Sequence, residues 1–230
     1  MVETLWHQRQ GNCSHGLGGE MSEVFSQRNQ YEKGGPGRWL REFRDRRILS
    51  LLGRSWHRVV DLGCGEGITL ERLIKEFPGQ ECFGVDLSTF NIGTCKSYRL
   101  PVACGDIYQL GLKTGSMDGC LLLDVIEHLE KPEAVLDEVF RILRPGGMLI
   151  LAFPNDRMFF LSRLLFLKLK EAFYDPGHVR QWQPKEMRDL LQQKGFQVNR
   201  FSSLPFFFWP ISLYHLIEAH KEPTGGRRDR

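Results

Sequence analysis

Apolar and polar positions along this 230-residue chain change their period several times. Between Arg58 and Phe153, short apolar runs alternate with amphipathic stretches. Arg58–Leu62, Glu81–Leu87, Pro101–Ile107, Met117–Val125 and Met148–Phe153 read as strands. Met117–Val125 is almost continuously apolar, as expected of a central parallel strand buried on both faces. Ile68–Phe77 and Glu133–Leu143 read as the helices between them, and Asp86 and Ser88 precede another possible helix. Upstream, Trp39–Leu52 predicts a helix with Leu40, Phe43, Arg47, Ile48 and Leu51 near one face, closed by Gly53. Downstream, Pro184–Lys194 predicts a helix and Gln197–Phe201 a sixth strand. Such alternation predicts an α/β fold: a doubly wound, mostly parallel sheet with helices on both faces. Residues 1–33 are polar and Gly-rich without a period, so they read as a flexible arm. A domain over 34–220 and a flexible tail over 221–230 complete the division.

Composition narrows this little. With 41% hydrophobic and 26% charged residues, one globular domain is the expectation. A net charge of +3 is too mild to argue for nucleic acid. The six cysteines form no C-x-x-C pair. Cys82, Cys104 and Cys120 lie in apolar runs and read as buried small hydrophobes. Residues 1–10 lack the basic start and apolar run of a signal peptide, which with the unpaired cysteines predicts a reducing, cytoplasmic setting. His7, Cys13 and His15 match no standard metal spacing, and no metal is expected.

The chemistry concentrates at Asp61-Leu62-Gly63-Cys64-Gly65-Glu66-Gly67. A Gly-rich turn between strand and helix lets a ligand approach bare backbone. A dinucleotide fingerprint requires G-x-G-x-x-G, but Ile68 holds the third glycine position. No Lys-Ser/Thr pair follows, so a P-loop is not expected either. Asp61, before the turn, suits a cationic ligand better than a phosphate. D-L-G-C-G-E-G resembles the first motif of class I S-adenosylmethionine-dependent methyltransferases. D-V-I-E-H-L-E-K-P at Asp124–Pro132 and L-R-P-G-G at Leu143–Gly147 resemble later segments of the small-molecule members, including the quinone-pathway group.

That resemblance implies a Rossmann-like, seven-stranded sheet and S-adenosyl-L-methionine as cofactor. It implies a cofactor site built from Asp61, Gly63, Cys64, Gly65 and Gly67 with Asp86, Leu87, Asp106, Ile107 and Asp124. Asp86 lies nineteen residues beyond Gly67, a spacing that suits ribose hydroxyls. Asp106 would meet the adenine amino group, the Ile107 N–H the ring, and Asp124 the ammonium. The alternatives are that Asp86 caps a helix and that Asp106 serves a turn. His128, just beyond the fourth strand, is the candidate catalytic base for an oxygen acceptor. Asp124, Glu127 and His128 would share one face if helical and could then meet a divalent ion, although Asp124 is also claimed by the ammonium.

The remaining segments bear on the acceptor. Arg157–Tyr174 reads as a helix with an overfull apolar face, within a cap segment at 157–182. It could cover a quinone- or lipid-like acceptor, rest on a membrane surface, or meet a second copy in a homodimer. His178 could orient an acceptor or anchor a loop. Phe201–Ile217 carries no Lys, Arg, Asp or Glu, but Pro205 and Pro210 interrupt it and it is short for a membrane span. Peripheral membrane contact through 157–174 and 204–217 is therefore compatible with the pattern. Ile211–His220 reads as helical, which leaves no clear seventh strand. Two other classes stay open: a nucleotide-binding oxidoreductase, and a catalytically silent S-adenosylmethionine-binding module.

Overall fold

Strands β1 (Arg58–Leu62), β2 (Glu81–Asp86), β3 (Val102–Cys104), β4 (Met117–Leu123) and β5 (Leu143–Pro154) run parallel. The computed structural model describes residues 26–52, 56–155, 179–204 and 212–222. β7 (Tyr214–Lys221) lies between β5 and β6 (Phe196–Leu204), antiparallel to both, giving the order β3-β2-β1-β4-β5-β7-β6. The expected α/β sheet with helices on both faces is the observed one.

Strand period 2 sorts side chains into two cores. Val60, Leu62, Leu122, Leu149 and Leu151 pack with α5 (Pro132–Ile142) and α6 (Pro184–Gln193), through Val135, Leu136, Val139, Met187 and Leu191. Val59, Leu121, Leu123 and Ile150 face the other way. There they meet Ile48 of α2 (Pro36–Leu51), Leu70 and Leu73 of α3 (Ile68–Glu76), and Cys95 of α4 (Thr89–Ser97). Asp61 is in phase with Val59, so β1 turns its carboxylate towards the α2 layer.

Several expectations change. Ile211–His220 is not helical: residues 214–221 form the seventh strand. Because β7 is covered by strands on both edges and layers on both faces, Leu216, Ile217 and Ala219 are all buried and the usual alternation is lost. The arm expected to reach residue 33 is already helical at α1 (Gln27–Lys33). Lys221, expected in the tail, instead ends β7 and donates to the Phe140 and Leu143 carbonyls at 2.7 and 2.8 Å. Leu204, Leu216 and Ile217 are core residues, so that part of 204–217 cannot meet a membrane. The L-R-P-G-G segment belongs to β5, with a register irregularity opposite Met117–Gly119. Cys104 is only half-buried and carries a disulfide, unlike Cys82 and Cys120, and this removes one ground for reading a reducing compartment.

The arm over 1–25, the apolar helix expected at Arg157–Tyr174, His178 and the aromatic run at Phe206–Trp209 lie outside the described residues. No helix among the described residues is long and apolar enough to cross a membrane.

Candidate functional site

The parallel strands β3, β2, β1 and β4 are neighbours, so their carboxyl ends share one rim. This is where open α/β sheets form ligand crevices. A cavity of about 100 Å³ opens there, lined among others by Asp61, Gly63, Gly65, Arg44, Arg41 and Asp124. Its size suits part of a ligand, since whole-ligand pockets are on the order of 300–1,000 Å³. Larger grooves lie along α6 and at the opposite strand ends, away from the glycine turn.

The turn needs its glycines. Gly63, Gly65 and Gly67 have φ of 70°, 55° and 75°, in the left-handed region. A Cβ on Gly63 would fall 2.5 Å from Val125 Cγ2, and one on Gly67 would fall 2.5 Å from Leu100 Cδ1. A Cβ on Gly65 would meet nothing nearer than Gln27 Oε1 at 4.0 Å, so bare backbone faces the cavity there. The Cys64 side chain turns towards β2 and packs against Gly84.

Asp61 is the unusual group. It is 2% exposed, lines the cavity, and its carboxylate accepts no hydrogen bond from the described residues. Burial pushes its pKa up to about 7 against the pull of Arg44, with Asp45 and Asp86 adding to the rise. A buried carboxylate without a donor is costly unless a ligand supplies one. Asp124 presents a second such oxygen. Its Oδ2 pairs with Arg44, while its Oδ1 is buried and has no partner among the described residues. Asp124 also holds φ 55°, a sparsely populated conformation for a non-glycine residue, directly after β4.

Arg44 connects these carboxylates. It is 2% exposed, donates to Asp45 at 3.1 Å, and pairs with Asp124. Its Cζ lies 5.5 Å from the ring centre of Tyr214, which enters from the start of β7. Burial, reinforced by Asp124, raises the Tyr214 phenol. Sequence reasoning missed both residues. For Arg44 a signal existed: it stands four residues from Leu40 and from Ile48, inside the apolar stripe of α2, where a solvated arginine does not belong. Tyr214 was hidden by the helical reading of its segment.

Of the other expected site residues, Asp86 is buried at the rim. Its Oδ2 accepts from Gly65 N at 2.8 Å, and its Oδ1 from Ser88 N at 2.8 Å and Asn91 Nδ2 at 3.1 Å. A carboxylate offers about four acceptor sites, so one remains. Leu87 beside it is 63% exposed. Asp106 is exposed and accepts from Tyr108 N at 2.9 Å, closing its own turn, while Ile107 is half-buried against the core. These four stand on the same rim, since Gly105 N bonds Asp86 O, but they do not line the cavity. Nor does His128, which is 43% exposed on the 3-10 turn Ile126–His128, with Nε2 4.0 Å from Glu127 Oε1. Asp124, Glu127 and His128 do not share a helical face, because Asp124 is left-handed and turned to Arg44. Among the described residues, no group of three or more His, Cys, Asp or Glu is placed to hold a metal.

Glu66 performs an unforeseen task. Buried in the turn, it accepts from Ser26 Oγ and Gln27 N at 2.6 Å each and from Arg28 N at 3.1 Å. Arg28 returns two bonds to the Glu66 carbonyl, pairs with Glu71 at 2.8 Å, and stacks on Tyr98. α1 is thereby latched over the turn, with Gln27 on the cavity wall. For Glu66→Ala we expect amide exchange across residues 27–33 to rise roughly thirty- to hundredfold, from about 2–3 kcal/mol of lost charged hydrogen bonding. Unchanged exchange there would show that the latch contributes nothing.

Residues 60–151 match the family described as "Methyltransferase domain". A ubiquinone biosynthesis O-methyltransferase from Methylococcus capsulatus is 34% identical over 196 residues, 77% of this chain and 81% of that protein. A probable S-adenosylmethionine-dependent methyltransferase from Mycolicibacterium smegmatis is 30% identical over 143 residues, 61% of this chain. The match spans about half of that curated relative, 52% of its length. The crystal structure of PH0226 protein from Pyrococcus horikoshii shares the fold, with a TM-score of 0.66 at 21% identity, covering 88% of this chain and 99% of that one.

Proposed function

Because this chain belongs to the class I S-adenosylmethionine-dependent methyltransferases, we propose that its glycine turn holds S-adenosyl-L-methionine and that it methylates a small apolar acceptor. The observation that carries the reading is Asp61: a buried carboxylate without a donor among the described residues, facing a cavity beside bare glycine backbone. A ligand bearing an ammonium and a sulfonium, and no phosphate, supplies the missing positive charge. Asp61 and Oδ1 of Asp124, which has no partner among the described residues, would receive the ammonium. Arg44 and Arg41 on the same wall would face the carboxylate, and Gly63, Gly65 and Gly67 would line the approach. The cavity suits the amino-acid end, leaving the nucleoside to the rim. There Asp86 has one acceptor site for a ribose hydroxyl, Leu87 offers an exposed apolar side chain to the adenine, and Asp106 and Ile107 stand beyond it.

When bound, this cofactor supplies a methyl group on a positively charged sulfur, already activated for displacement. The chain's own task is to orient the acceptor and exclude water. Tyr214 and the Arg44–Asp124 pair form buried polar ground next to the cavity. An oxygen acceptor needs its proton removed, and His128 is the base this rim offers. The similarity to a ubiquinone O-methyltransferase supports a quinone- or lipid-like acceptor.

Calorimetry with S-adenosylmethionine and with NAD separates this reading from a nucleotide oxidoreductase: binding of the first alone is expected. Labelled-methyl transfer into a lipid and metabolite extract separates it from a silent binding module. Asp86→Ala should weaken cofactor binding ten- to hundredfold, from about 1.5–3 kcal/mol for a charged hydrogen bond. A folded variant with parent affinity would remove Asp86 from the site.

A further inference from the structure

Two thiols meet under the glycine turn. Cys95 Sγ donates to the Gly65 carbonyl oxygen at 3.3 Å, and Cys64 Sγ lies 3.8 Å from the same oxygen. Glycines make room for both sulfurs: a Cβ on Gly84 would fall 2.5 Å from Cys64 Sγ, and one on Gly67 would fall 2.8 Å from Cys95 Sγ. Both cysteines are free. Cys95 is fully buried, while Cys64 is half-buried and lines the cavity. The N–H of the same Gly65 donates to Asp86. The thiols and Asp86 therefore hold Gly65 on both sides, its carbonyl and its amide.

We infer that Cys64 and Cys95 are a redox modification site, which a small peroxide entering the cavity converts to a disulfide that closes the turn to cofactor. This rests on the reading that the turn holds S-adenosylmethionine. Cys64 opens onto the cavity, with Cys95 beside it under the turn. One sulfur of the pair, as thiolate, attacks one oxygen of hydrogen peroxide. The O–O bond breaks, that cysteine becomes a sulfenic acid, and the departing hydroxide takes a proton to leave as water. The other sulfur, giving up its proton, attacks the oxidised one. The S–S bond forms, the S–O bond breaks, and a second water leaves. Two thiols and one peroxide thus become one disulfide and two waters, with two electrons passing from sulfur to oxygen. Gly65 loses both sulfur donors, and a covalent tie from turn to α4 replaces them. Bound cofactor, filling the cavity that Cys64 lines, protects the pair.

The test uses the full chain, reduced and then titrated with hydrogen peroxide. Peptide mapping under non-reducing conditions should join the Cys64 peptide to the Cys95 peptide, more slowly in saturating S-adenosylmethionine. Cofactor affinity should fall at least about tenfold on oxidation and return with dithiothreitol. Cys95→Ser keeps a donor for Gly65 and should bind cofactor with an affinity that peroxide does not change. Cys95→Ala serves if the Ser variant does not fold. No Cys64–Cys95 linkage in excess peroxide overturns the inference, as does linkage with unchanged affinity. If the reduced parent binds no cofactor, the functional reading fails, and the linkage alone then decides whether the thiols are a modification site.

Discussion

Replacing Asp61 with Asn is expected to make the cofactor-free protein more stable at pH 8 while weakening its hold on S-adenosylmethionine. The Asp61 pKa stands at about 7 in the fold, against 3.8 for an ordinary Asp, chiefly because burial opposes its charge. Below about pH 4 the group is protonated in both folded and unfolded chains. As pH rises from there to 7, the unfolded chain releases the proton and the folded chain retains it. The folded state then binds more protons, so stability falls across this window and the loss is complete above pH 7. The difference corresponds to on the order of 4 kcal/mol. Asn carries no proton to lose, so its advantage should be absent near pH 4 and greatest above 7. For a chain of this size a gain of that order corresponds to a thermal midpoint about 8–16 °C higher. Cofactor affinity should drop roughly ten- to hundredfold, the contribution of one charge-assisted bond to an ammonium. Thermal melts of both proteins from pH 4 to 8, with calorimetry at pH 8, decide it. An Asn variant that melts lower at pH 8 would mean that Arg44 neutralises Asp61 in the empty site.

Arg44→Met should have the largest cost to folding. The substitution nearly conserves volume but strands Asp45, which is fully buried, and Asp124. Arg72 still reaches Asp45 at 3.3 Å and limits the damage. Removing one partner of a buried charge pair costs about 3–5 kcal/mol. Adding Asp45→Asn should recover part of that loss, because the two residues belong to one network and their effects do not add. Urea unfolding of the parent, both single variants and the double variant measures the coupling. Strictly additive losses would place Arg44 outside the network that links α2 to the rim.

How much could be read beforehand follows from how local each signal is. The glycine turn was legible because left-handed backbone and close packing demand glycine, whatever surrounds it. β4 was legible because a strand covered on both faces is apolar throughout. β7 obeys the same rule, yet Ile211–His220 mixes Tyr, His and Glu into its run and imitates a helix; only the pairing with β5 and β6 reveals it. α1 was invisible for another reason. Ser26 caps it locally by accepting from Asn29 N, but its first two amides, Gln27 and Arg28, are satisfied by the distant Glu66, which no local pattern announces. Arg44 sat in a helix rich in arginines, and a buried cation differs from a solvated one only by where its stripe points. Asp86 ends β2 at the rim, and its bonds to Gly65 and Ser88 show it bracing the turn, a role that spacing alone does not reveal.

The insertion of β7 between β5 and β6 has a consequence during synthesis. The last strand of the sheet to leave the ribosome is also an interior one. Until residue 221 emerges, β5 and β6 each present a raw edge, and neither can be completed by anything already made. Tyr214 is likewise missing from its place beside Arg44. A nascent chain halted before that point therefore has an open sheet prone to mispairing and an unfinished wall around the ligand crevice, so assembly of the site is deferred to the closing step of folding.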